Sequence, residues 1–432
     1  MNYRETTEYL FSSMPSFQNV GGDAYKPGLE RIRAFCERLG NPHKSYTVIH
    51  IAGTNGKGSS SHMLASVLAA SGYSVGLFTS PHLRDFRERM RVDGEVISES
   101  EVVDFVDEWR GEMESLQLSF FEMTAAMAFN HFARCEVDVA VIETGLGGRL
   151  DATNIVKPAL SIITNIGIDH THYLGDTIAQ IAAEKGGIIK RGVPVVVGER
   201  GAESAAVFEE RAREMGARII YAEDLYSLVG VAEFASHQCV ELFDAEDETT
   251  VSYDLDLKGE YQRKNIVTVL AAIDTINGDR FIPIDTPQRA IEQGLRSVVD
   301  STSLIGRWQE IGTNPTIICD TGHNDHGVRE VTRQLARQKY AELYCVVGFA
   351  RDKELRKILA LFPEGANFIF TRAGIERAFD TSEIASVAEE LGLKYECIDE
   401  VQRALRRAQE RAQREDLIFV GGSTFVVAEI EL

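Results

Sequence analysis

Short apolar runs of strand length alternate with amphipathic stretches of helix length along most of the chain. Residues Thr47–Ala52 predict a buried strand, residues 60–70 predict a helix, and residues 73–79 predict the next strand. The same pattern predicts further strands at 137–143, 160–166 and 193–197. Apolar strands separated by helices are typical of a parallel sheet that is covered on both faces. We therefore predict a doubly wound parallel sheet for this part of the chain.

The pattern changes near residue 225. Residues 225–257 alternate more strongly between apolar and polar positions and predict a small peripheral antiparallel sheet. Two helices are predicted next, at 261–276 and 287–299. Pairs of strands and helices then resume, with strands predicted at 316–320, 343–348, 367–371, 394–398 and 417–420. We predict an α/β protein with an N-terminal domain over 1–298 and a C-terminal Rossmann-like domain over 299–432.

Composition narrows the class of protein. Of the 432 residues, 44% are hydrophobic and 26% are charged, which is the balance of a globular protein. No apolar run reaches the roughly 18 residues needed to cross a bilayer, and the first residues are too polar for a secretory signal. These features predict a cytoplasmic location without membrane contact. The six cysteines are scattered without a C-x-x-C pair, so we expect buried, reduced thiols.

The charge balance limits the partners. The net charge is −21, from 45 Lys and Arg against 66 Asp and Glu. Binding to nucleic acid needs clustered cations, so we expect no nucleic-acid partner. A small anionic ligand would need a locally positive pocket, or a bound Mg²⁺, within this negative surface.

A glycine-rich loop follows the first predicted strand and opens the first predicted helix. It reads Gly53-Thr54-Asn55-Gly56-Lys57-Gly58-Ser59. Glycines let the backbone curl so that its N–H groups face an anion, and the helix dipole favours negative charge there. Lys57 can reach the β- and γ-phosphates of ATP, and the hydroxyl of Ser59 or Ser60 can approach a metal ion. The alternative is a glycine turn with a chance lysine, but the context favours nucleotide binding and a P-loop ATPase-like N-terminal domain.

The loop departs from the common phosphate-binding motif, because Gly58 separates Lys57 from Ser59. With this spacing it resembles the Mur ligase superfamily, whose loop reads G-T-x-G-K-x-[ST]. Within that superfamily the chain resembles the folylpolyglutamate synthases, including those that are also dihydrofolate synthases, along essentially its whole length. The matching segments lie at 28–32, 39–42, 79–83, 88–92 and 141–154, of which the last is the strongest match.

Polar residues stand where several predicted strands end, which is where ligands bind in α/β sheets. Ser80, Glu143 and His170 are three such residues. The resemblance implies that they hold Mg²⁺, although histidine is an unusual ligand for so hard a cation. A polar histidine in the core is the alternative for His170. The resemblance further implies ATP, a second Mg²⁺ and K⁺ as ligands of the protein.

Lys185 ends a predicted helix that is rich in Ala and Ile, where a bare ammonium is costly to bury. The resemblance implies that Lys185 is carbamylated, which turns a cation into an anion that helps to hold the second Mg²⁺. An unmodified lysine, paired with a substrate phosphate or with Glu184, is the alternative.

Short motifs of the same family assign four further residues. Asn265, in a segment that resembles G-x-x-Q-x-x-N, is implied to contact the nucleotide. Arg307, in a segment that resembles G-R-[FM]-[QE], is implied to stabilise the phosphates or the charge on the transferred phosphoryl group. Asp320 and His323 lie in a segment that resembles D-x-A-H-N, and they are implied to bind the ribose and to approach the γ-phosphate.

Two residues depart from the family motif around Asp320. Gly322 replaces the usual Ala, and Asp325 stands where Pro is common. Only the local backbone shape is in question, because Asp320 and His323 themselves are present. Since the phosphate loop lies in the other predicted domain, we expect closure of one domain on the other to assemble the site.

The resemblance implies a reaction in two steps. A substrate carboxylate attacks the γ-phosphate of ATP to give an acyl phosphate, and the amine of L-glutamate then attacks the acyl carbon. The carboxylate substrate is implied to be dihydropteroate or a folate. Phe121 is implied to stack on the pterin or aminobenzoyl ring, and Glu122 or Asp151 to bond the amino edge of the pterin, with Ala152 beside them. The alternative for Phe121 is an ordinary core residue.

Two other functions remain as alternatives. A muramyl-peptide ligase would need a sugar-nucleotide domain before the loop, and 52 residues precede Gly53. A nucleotide-binding regulator with the same fold would not need Glu143, His170, Lys185 and Arg307 together. We expect a monomer. The sequence leaves open whether dihydropteroate and reduced folates are both substrates.

Overall fold

The computed structural model describes residues 1–13, 28–351 and 353–431. The chain forms two compact units. The first contains Met1–Asp256 and Tyr261–Leu304, and the second contains Leu257–Glu260 and Ile305–Leu432. Each unit has its own β-sheet and its own buried apolar residues.

The strands are numbered in chain order. They are β1 (Thr47–Ala52), β2 (Val75–Phe78), β3 (Met90–Val92), β4 (Glu95–Val96), β5 (Val139–Glu143), β6 (Leu160–Ile163), β7 (Val195–Val197), β8 (Ile219–Tyr221), β9 (Tyr226–Glu233), β10 (Gln238–Asp244), β11 (Thr249–Leu255), β12 (Gln309–Thr313), β13 (Thr316–Cys319), β14 (Leu343–Val347), β15 (Asn367–Phe370), β16 (Lys394–Cys397) and β17 (Leu417–Gly421). The α-helices are Tyr3–Ser13, Glu30–Arg38, Lys57–Ala70, Glu99–Ser115, Phe120–Arg134, Thr171–Leu174, Ile178–Lys185, Ala202–Met215, Ala222–Leu225, Gln262–Gly278, Gln288–Arg296, Val298–Thr302, Asp325–Leu335, Leu355–Leu359, Thr381–Glu390, Val401–Arg411 and Thr424–Ala428.

The first unit is built on an eight-stranded sheet with the order β4-β3-β2-β5-β1-β6-β7-β8. The strands from β2 to β8 in this order pair in parallel, and β3 and β4 are added antiparallel at one edge. One hydrophobic cluster packs the sheet against Glu30–Arg38, Glu99–Ser115 and Phe120–Arg134. A second cluster packs it against Ile178–Lys185 and Ala202–Met215. The continuous apolar strands are therefore buried between two layers of helices, as predicted.

Capping boxes fix where two of these helices begin. Ser98 and Ser119 each accept a hydrogen bond from the backbone N–H three residues later. In return, the carboxylates of Glu101 and Glu122 accept hydrogen bonds from the backbone N–H groups of the two serines. Each pair satisfies two donors that would otherwise be unpaired at a helix start.

The small sheet of the first unit has the order β11-β10-β9 and is antiparallel throughout. Val240, Leu242, Tyr253 and Leu255 are buried, and they alternate with more exposed residues along β10 and β11. This alternation is the period-2 pattern of a sheet with one covered face, and it explains the prediction made for residues 225–257.

The second unit contains a six-stranded sheet with the order β12-β13-β17-β14-β15-β16. The strands from β13 to β16 in this order are parallel, and β12 pairs with β13 antiparallel. The residues of β14 and β17 are all buried, whereas those of β12 are not. The continuous apolar runs that predicted these strands therefore correspond to the middle of the sheet.

The predicted α/β fold class is confirmed, with differences in detail. The short strands β3, β4 and β8 and the half-exposed β12 were not predicted, because they lie at or beside the sheet edges and none carries a long continuous apolar run. The helix after the phosphate loop begins at Lys57, three residues earlier than predicted. The helix predicted at 287–299 is two helices, Gln288–Arg296 and Val298–Thr302.

The cysteines lie within the described ranges and are all free thiols. Cys36, Cys319 and Cys345 are buried as predicted, whereas Cys135 and Cys397 are exposed. In the described part of the chain, no helix combines the length and the apolar character needed to cross a membrane.

Candidate active site

The glycine-rich loop lies between β1 and the 14-residue helix that begins at Lys57. Gly53 and Gly56 have φ angles of 152° and 81°, which residues with a Cβ rarely adopt. Their surroundings are also closed: a Cβ would lie 1.8 Å from Thr164 Oγ1 at Gly53, and 2.3 Å from Asn265 Oδ1 at Gly56. The loop leads into the amino end of the helix, where N–H groups and the helix dipole favour an anion.

Side chains that the sequence analysis did not single out hold the loop in place. Asn165 Oδ1 accepts a hydrogen bond from the Asn55 N–H at 3.0 Å, and the Thr164 hydroxyl donates to the Asn55 carbonyl at 2.6 Å. The Thr54 hydroxyl accepts from the Gly167 N–H at 2.9 Å. Thr164 and Asn165 directly follow β6, so their position at a strand end is the signal that could have identified them.

Asn265 lies against the loop, on the helix Gln262–Gly278. Its Nδ2 donates to Gln262 Oε1 at 2.7 Å, and Gln262 Nε2 donates to the hydroxyl of Ser59 at 3.1 Å. All three side chains are buried, whereas Gly58 is partly exposed. The structure thus places Asn265 beside Gly56, as a nucleotide contact requires, and adds Gln262 as a support that the sequence analysis missed.

Replacement of Gly56 by alanine is expected to weaken ATP binding more than it weakens the fold. The added Cβ would meet the Asn265 amide, and the positive φ would cost about 1–2 kcal/mol. Gly40 is a matched control, because its φ is also 81° and a Cβ there would meet nothing within 4 Å in the described part of the chain. We expect the positive φ to lower thermal stability in both variants, and Gly56→Ala to lose more because its Cβ also meets Asn265. Only Gly56→Ala should raise the Kd for ATP, measured by calorimetry, by about tenfold, and equal Kd values would contradict a nucleotide role.

Glu143, at the end of β5, lies beside the loop. Its carboxylate accepts a hydrogen bond from the Ser80 N–H at 3.0 Å, and Lys57 Nζ lies 4.0 Å from its other oxygen. Lys57 also donates to the Thr54 carbonyl at 3.2 Å. Glu143 is only 3% exposed, and a buried carboxylate needs such partners. The structure therefore brings two predicted metal ligands together with the predicted phosphate-binding lysine.

His170 lies on the segment after β6 that leads into the short helix Thr171–Leu174. Its φ is 50°, and its Nε2 lies 3.8 Å from Asp169 Oδ2. The segment is tied to the phosphate loop, because the Thr54 hydroxyl contacts both the N–H and the carbonyl of Gly167. The segment that carries His170 is thus tied to the phosphate loop through Gly167.

Two buried hydroxyls mark this region as a place for a ligand. Ser60 Oγ and Thr144 Oγ1 have no hydrogen-bond partner in the described part of the chain, although buried polar groups nearly always have one. Among the described residues, no three His, Cys, Asp or Glu side chains gather to hold a metal ion by themselves. The carboxylate of Glu143 and the hydroxyls instead fit Mg²⁺, which prefers oxygen ligands and usually keeps waters and phosphate oxygens as its remaining ligands.

Lys185 is buried at the end of the helix Ile178–Lys185. It is 4% exposed, and its Nζ donates to the Gly53 carbonyl at 2.7 Å. Burial, and then the charge on Lys57, lowers the pKa of Lys185 to about 7. Glu184, the alternative partner considered for Lys185, pairs with Arg149 at 2.7 Å. The burial expected from the sequence is present, and the lysine faces the phosphate loop.

Phe121 and Glu122 lie at the start of the helix after Ser119. The Phe121 ring is half-buried and covers Gly145, where an added Cβ would lie 2.4 Å from the ring. Glu122 is buried, and its carboxylate accepts from the N–H and the hydroxyl of Ser119, both at 2.8 Å, and from Arg31 Nε at 3.1 Å. Phe121 therefore keeps an open part of its ring for a flat ligand, whereas the Glu122 carboxylate is engaged within the protein.

Asp151 organises its own turn. Its Oδ2 accepts from the N–H groups of Gly145 and Leu146 at 2.9 and 2.8 Å. Its Oδ1 accepts from the N–H and the hydroxyl of Thr153 at 3.0 and 2.5 Å. Burial raises the pKa of Asp151, and these hydrogen bonds lower it in part. Ala152 is buried directly beside it.

In the second unit, Asp320 follows β13 and is buried. Its two carboxylate oxygens accept the N–H groups of Trp308 and Gly322, both at 2.7 Å. A Cβ at Gly322 would lie 3.0 Å from the Asp320 carboxylate, so glycine leaves more room here than the usual alanine of the motif. Asp325 begins the helix Asp325–Leu335 and pairs with Arg329 on the surface at 2.8 Å. Neither departure from the motif displaces Asp320 from the strand end.

Arg307 and His323 lie close to the same strand end. The Arg307 guanidinium donates to the Gly306 carbonyl at 3.1 Å and to the Thr321 hydroxyl. His323 Nδ1 lies 3.0 Å from the Thr321 carbonyl. Thr321 therefore connects the two predicted catalytic residues of this unit.

Both units match known protein domains. Residues 51–273 match the Mur ligase middle domain, and residues 306–424 match the Mur ligase glutamate ligase domain. The fold and the site thus define a Mur ligase.

Individual relatives narrow this class. The chain is 31% identical over 423 residues to the dihydrofolate synthase/folylpolyglutamate synthase of Bacillus subtilis, and the match covers 94% of each chain. It is 36% identical over 436 residues to a probable bifunctional folylpolyglutamate synthase/dihydropteroate synthase of Haloferax volcanii, where 99% of this chain spans 50% of the relative. The chain belongs to the folylpolyglutamate synthase/dihydrofolate synthase family of Mur ligases.

A solved structure agrees with this assignment. It is a bifunctional folylpolyglutamate synthase/dihydrofolate synthase with Mn, AMPPNP and L-glutamate bound. It has a TM-score of 0.83 and 28% identity to this chain, and the match covers 99% of this chain and 97% of that one. The family resemblance predicted from the sequence motifs is confirmed.

Proposed function

We propose that the protein is an ATP- and Mg²⁺-dependent ligase that joins L-glutamate to the carboxylate of dihydropteroate or of a folate. The observation that carries the proposal is the placement of Glu143 and Lys185 against the phosphate loop, through Lys57 and the Gly53 carbonyl. A phosphate loop alone would fit any enzyme that uses ATP. A buried carboxylate and a second, buried lysine at the same loop fit the more specific chemistry of a Mur ligase.

The reaction forms an amide at the expense of ATP. An oxygen of the substrate carboxylate attacks the γ-phosphorus, which releases ADP and leaves an acyl phosphate. The amine of L-glutamate then attacks the acyl carbon, the C–O bond to the phosphate breaks, and inorganic phosphate leaves with the bonding electrons while the nitrogen loses a proton. Both steps bring anions together, so the main task of the protein is to position the reactants and to neutralise negative charge.

Different residues of the chain are proposed to bind the phosphates, the nucleotide and the ribose. Lys57 and the N–H groups of the loop hold the β- and γ-phosphates, and Asn265 contacts the nucleotide. Arg307, whose guanidinium is fixed by Thr321, neutralises charge on the transferred phosphoryl group. Asp320 binds the ribose hydroxyls, and His323 approaches the γ-phosphate.

Ser80, Glu143 and His170 would hold one Mg²⁺, and the hydroxyls of Ser60 and Thr144 suit the same region. Such an ion would supply positive charge next to the phosphates, which would reduce the repulsion between the two anions. The solved relative that contains Mn, AMPPNP and L-glutamate supports a divalent metal ion together with ATP, and the choice of Ser80, Glu143 and His170 as its ligands is part of the proposal. We also propose that the protein binds a second Mg²⁺ and K⁺.

Lys185 is proposed to be carbamylated. Its amine nitrogen bonds to the carbon of CO₂ and loses a proton, which gives an anion suited to the second Mg²⁺. Two observations support this: the amine is buried, and the lowered pKa of about 7 leaves much of it neutral, and so nucleophilic, near neutral pH. An anion would also attract Lys57, which the unmodified ammonium repels.

The pteroate part of the substrate is proposed to bind against the open part of the Phe121 ring, next to the turn that carries Asp151 and Ala152. The Phe121 ring is only partly buried and contacts Gly145 at the start of that turn, which supports this placement. Both dihydropteroate and reduced folates are proposed as substrates. The carboxylates of Glu122 and Asp151 already accept hydrogen bonds within the protein, so we propose that these two residues shape the pocket.

The proposal is tested by following ADP release and product mass together. With ATP, Mg²⁺ and L-glutamate present, both dihydropteroate and a reduced folate monoglutamate should release ADP and gain one glutamyl residue. Leaving out glutamate should stop product formation. Tight ATP binding without ADP release for any pteroate or folate would instead indicate a nucleotide-binding regulator.

A cytoplasmic monomer without a nucleic-acid partner is proposed as the working form of this ligase. The net charge of −21 supports the exclusion of nucleic acid, since its phosphates would meet a surface of the same sign.

A further inference from the structure

A hydrogen-bonded series of buried polar side chains connects β1 with the turn that follows Glu143. His50, in β1, has its Nε2 2.8 Å from the Thr153 hydroxyl, and that hydroxyl donates to Asp151 Oδ1 at 2.5 Å. His50 and Thr153 are fully buried, and Asp151 is 3% exposed. No step of the proposed ligation uses His50 or Thr153.

The hydrogen atoms shared by His50, Thr153 and Asp151 have one consistent arrangement. Because the Thr153 hydroxyl gives its hydrogen to Asp151, it accepts from His50, whose Nε2 must carry the ring hydrogen. Burial, and then the charge on Lys190, lowers the pKa of His50 to about 3, so the ring stays neutral. Nδ1 of His50 has no partner in the described part of the chain. A side chain that only filled the core would avoid such an unpaired atom.

Asp151 connects Thr153 to the backbone of the turn through hydrogen bonds. The N–H groups of Gly145 and Leu146, which donate to it, come only two and three residues after Glu143. With Thr153 donating twice, the carboxylate accepts four hydrogen bonds from a single turn. The path of the backbone from residue 145 to residue 153 is therefore fixed by one buried group.

The same turn is held against the end of the helix that carries Lys185. The Arg149 N–H donates to the Glu184 carbonyl at 2.7 Å. The Asn154 amide donates to the carbonyls of Arg149 and Gly187, both at 3.1 Å. The approach is close, because a Cβ on Gly187 would lie 2.4 Å from the Arg149 Cα. A displacement of the turn backbone would therefore also displace the end of the helix that carries Lys185.

We infer that His50, Thr153 and Asp151 act together as positioning residues, which hold the turn after Glu143 in place against the strand that carries the phosphate loop. The inference rests on the proposed function, because the turn is proposed to line the pteroate pocket. Loss of the central hydroxyl should leave ATP binding intact, since Asn165 and Thr164 support the loop separately. It should impair the use of the pteroate substrate.

The test compares Thr153→Val, which removes the hydroxyl at nearly constant shape, with Thr153→Ser, which keeps it. Thr275→Val is the matched control, because Thr275 is also buried in the first unit and its hydroxyl donates to the Ala271 carbonyl at 2.7 Å. We expect Thr153→Val to lower kcat/KM for dihydropteroate by about 10- to 100-fold, with the Kd for ATP changed less than about twofold. Thr153→Ser should restore most of the activity, and Thr275→Val should have neither effect.

Amide hydrogen exchange supplies a measurement that does not depend on activity. In Thr153→Val, the amides of Gly145 and Leu146 should exchange about tenfold faster, as expected when a supporting hydrogen bond is lost. Unchanged exchange at these amides, or kinetics equal to those of Thr275→Val, would overturn the inference. If exchange accelerates but the unaltered protein does not ligate glutamate, the proposed function fails and the positioning of the turn stands.

Discussion

Arg307→Ala is expected to lower the turnover of the ligase about 10³-fold while the melting temperature changes by less than about 2 °C. The guanidinium is half-buried, and its contacts within the second unit are the Gly306 carbonyl and the Thr321 hydroxyl, neither of which needs a cation. Its charge is therefore available for a phosphoryl group whose negative charge grows during transfer. Steady-state ADP release at saturating substrates, together with thermal unfolding, measures the two effects separately.

Arg329→Ala provides the control for removing an arginine from the same unit. Arg329 is exposed and pairs with Asp325 four residues away on one helix, a contact that solvent screens strongly. We expect its turnover to be unchanged. Arg307→Lys should recover only part of the lost rate, because an ammonium cannot reproduce the planar guanidinium. Full turnover in Arg307→Ala would remove Arg307 from the mechanism.

The parts of the site that could be predicted from the sequence are those in which chemistry follows from local pattern. The phosphate loop needs only a strand, glycines and a helix in that order, and the structure has Gly53 and Gly56 in positive φ regions between β1 and a helix. Glu143 was identified as a carboxylate at a strand end, and its contacts with Ser80 and Lys57 follow from the neighbouring strands β2, β5 and β1.

The parts that could not be predicted depend on partners distant in sequence. Glu122 or Asp151 is predicted from the sequence to bond the pterin, but the Glu122 carboxylate caps its own helix and pairs with Arg31, 91 residues away. The S-x-x-E spacing from Ser119 was a visible sign of a capping box, whereas the partner Arg31 was not visible. Similarly, in the sequence His50 is an isolated polar residue within an apolar strand. Only the fold shows that Thr153 lies within hydrogen-bonding distance of it.

Lys185→Met is expected to remove nearly all ligase activity and, in metal-free and CO₂-depleted protein, to stabilise the fold at pH 6. Methionine fills similar space without a charge. The folded pKa of Lys185, about 7, lies below its ordinary value of 10.5 because of burial and Lys57. Between these two values the unfolded chain binds the proton more readily than the folded one, so this lysine destabilises the fold fully below pH 7 and not at all above about 10.5. We expect Lys185→Met to melt about 5 °C higher at pH 6, with a difference that shrinks as the pH rises.

The dependence of activity on CO₂ separates a carbamate from a plain lysine. Bicarbonate added to CO₂-depleted protein should raise the turnover of the unaltered chain, because the neutral Lys185 amine would then form the anion that is proposed to hold the second Mg²⁺. Lys190→Met is the matched control: Lys190 is half-buried, donates to the Asn154 carbonyl at 3.0 Å, and has a pKa lowered to about 8 by burial and by Arg33 and Arg211. It should keep both the activity and the response to bicarbonate, whereas Lys185→Met should show neither. An unmodified mass for Lys185 in fully active protein would contradict carbamylation, and the buried amine would then have to serve as a cation beside the phosphates.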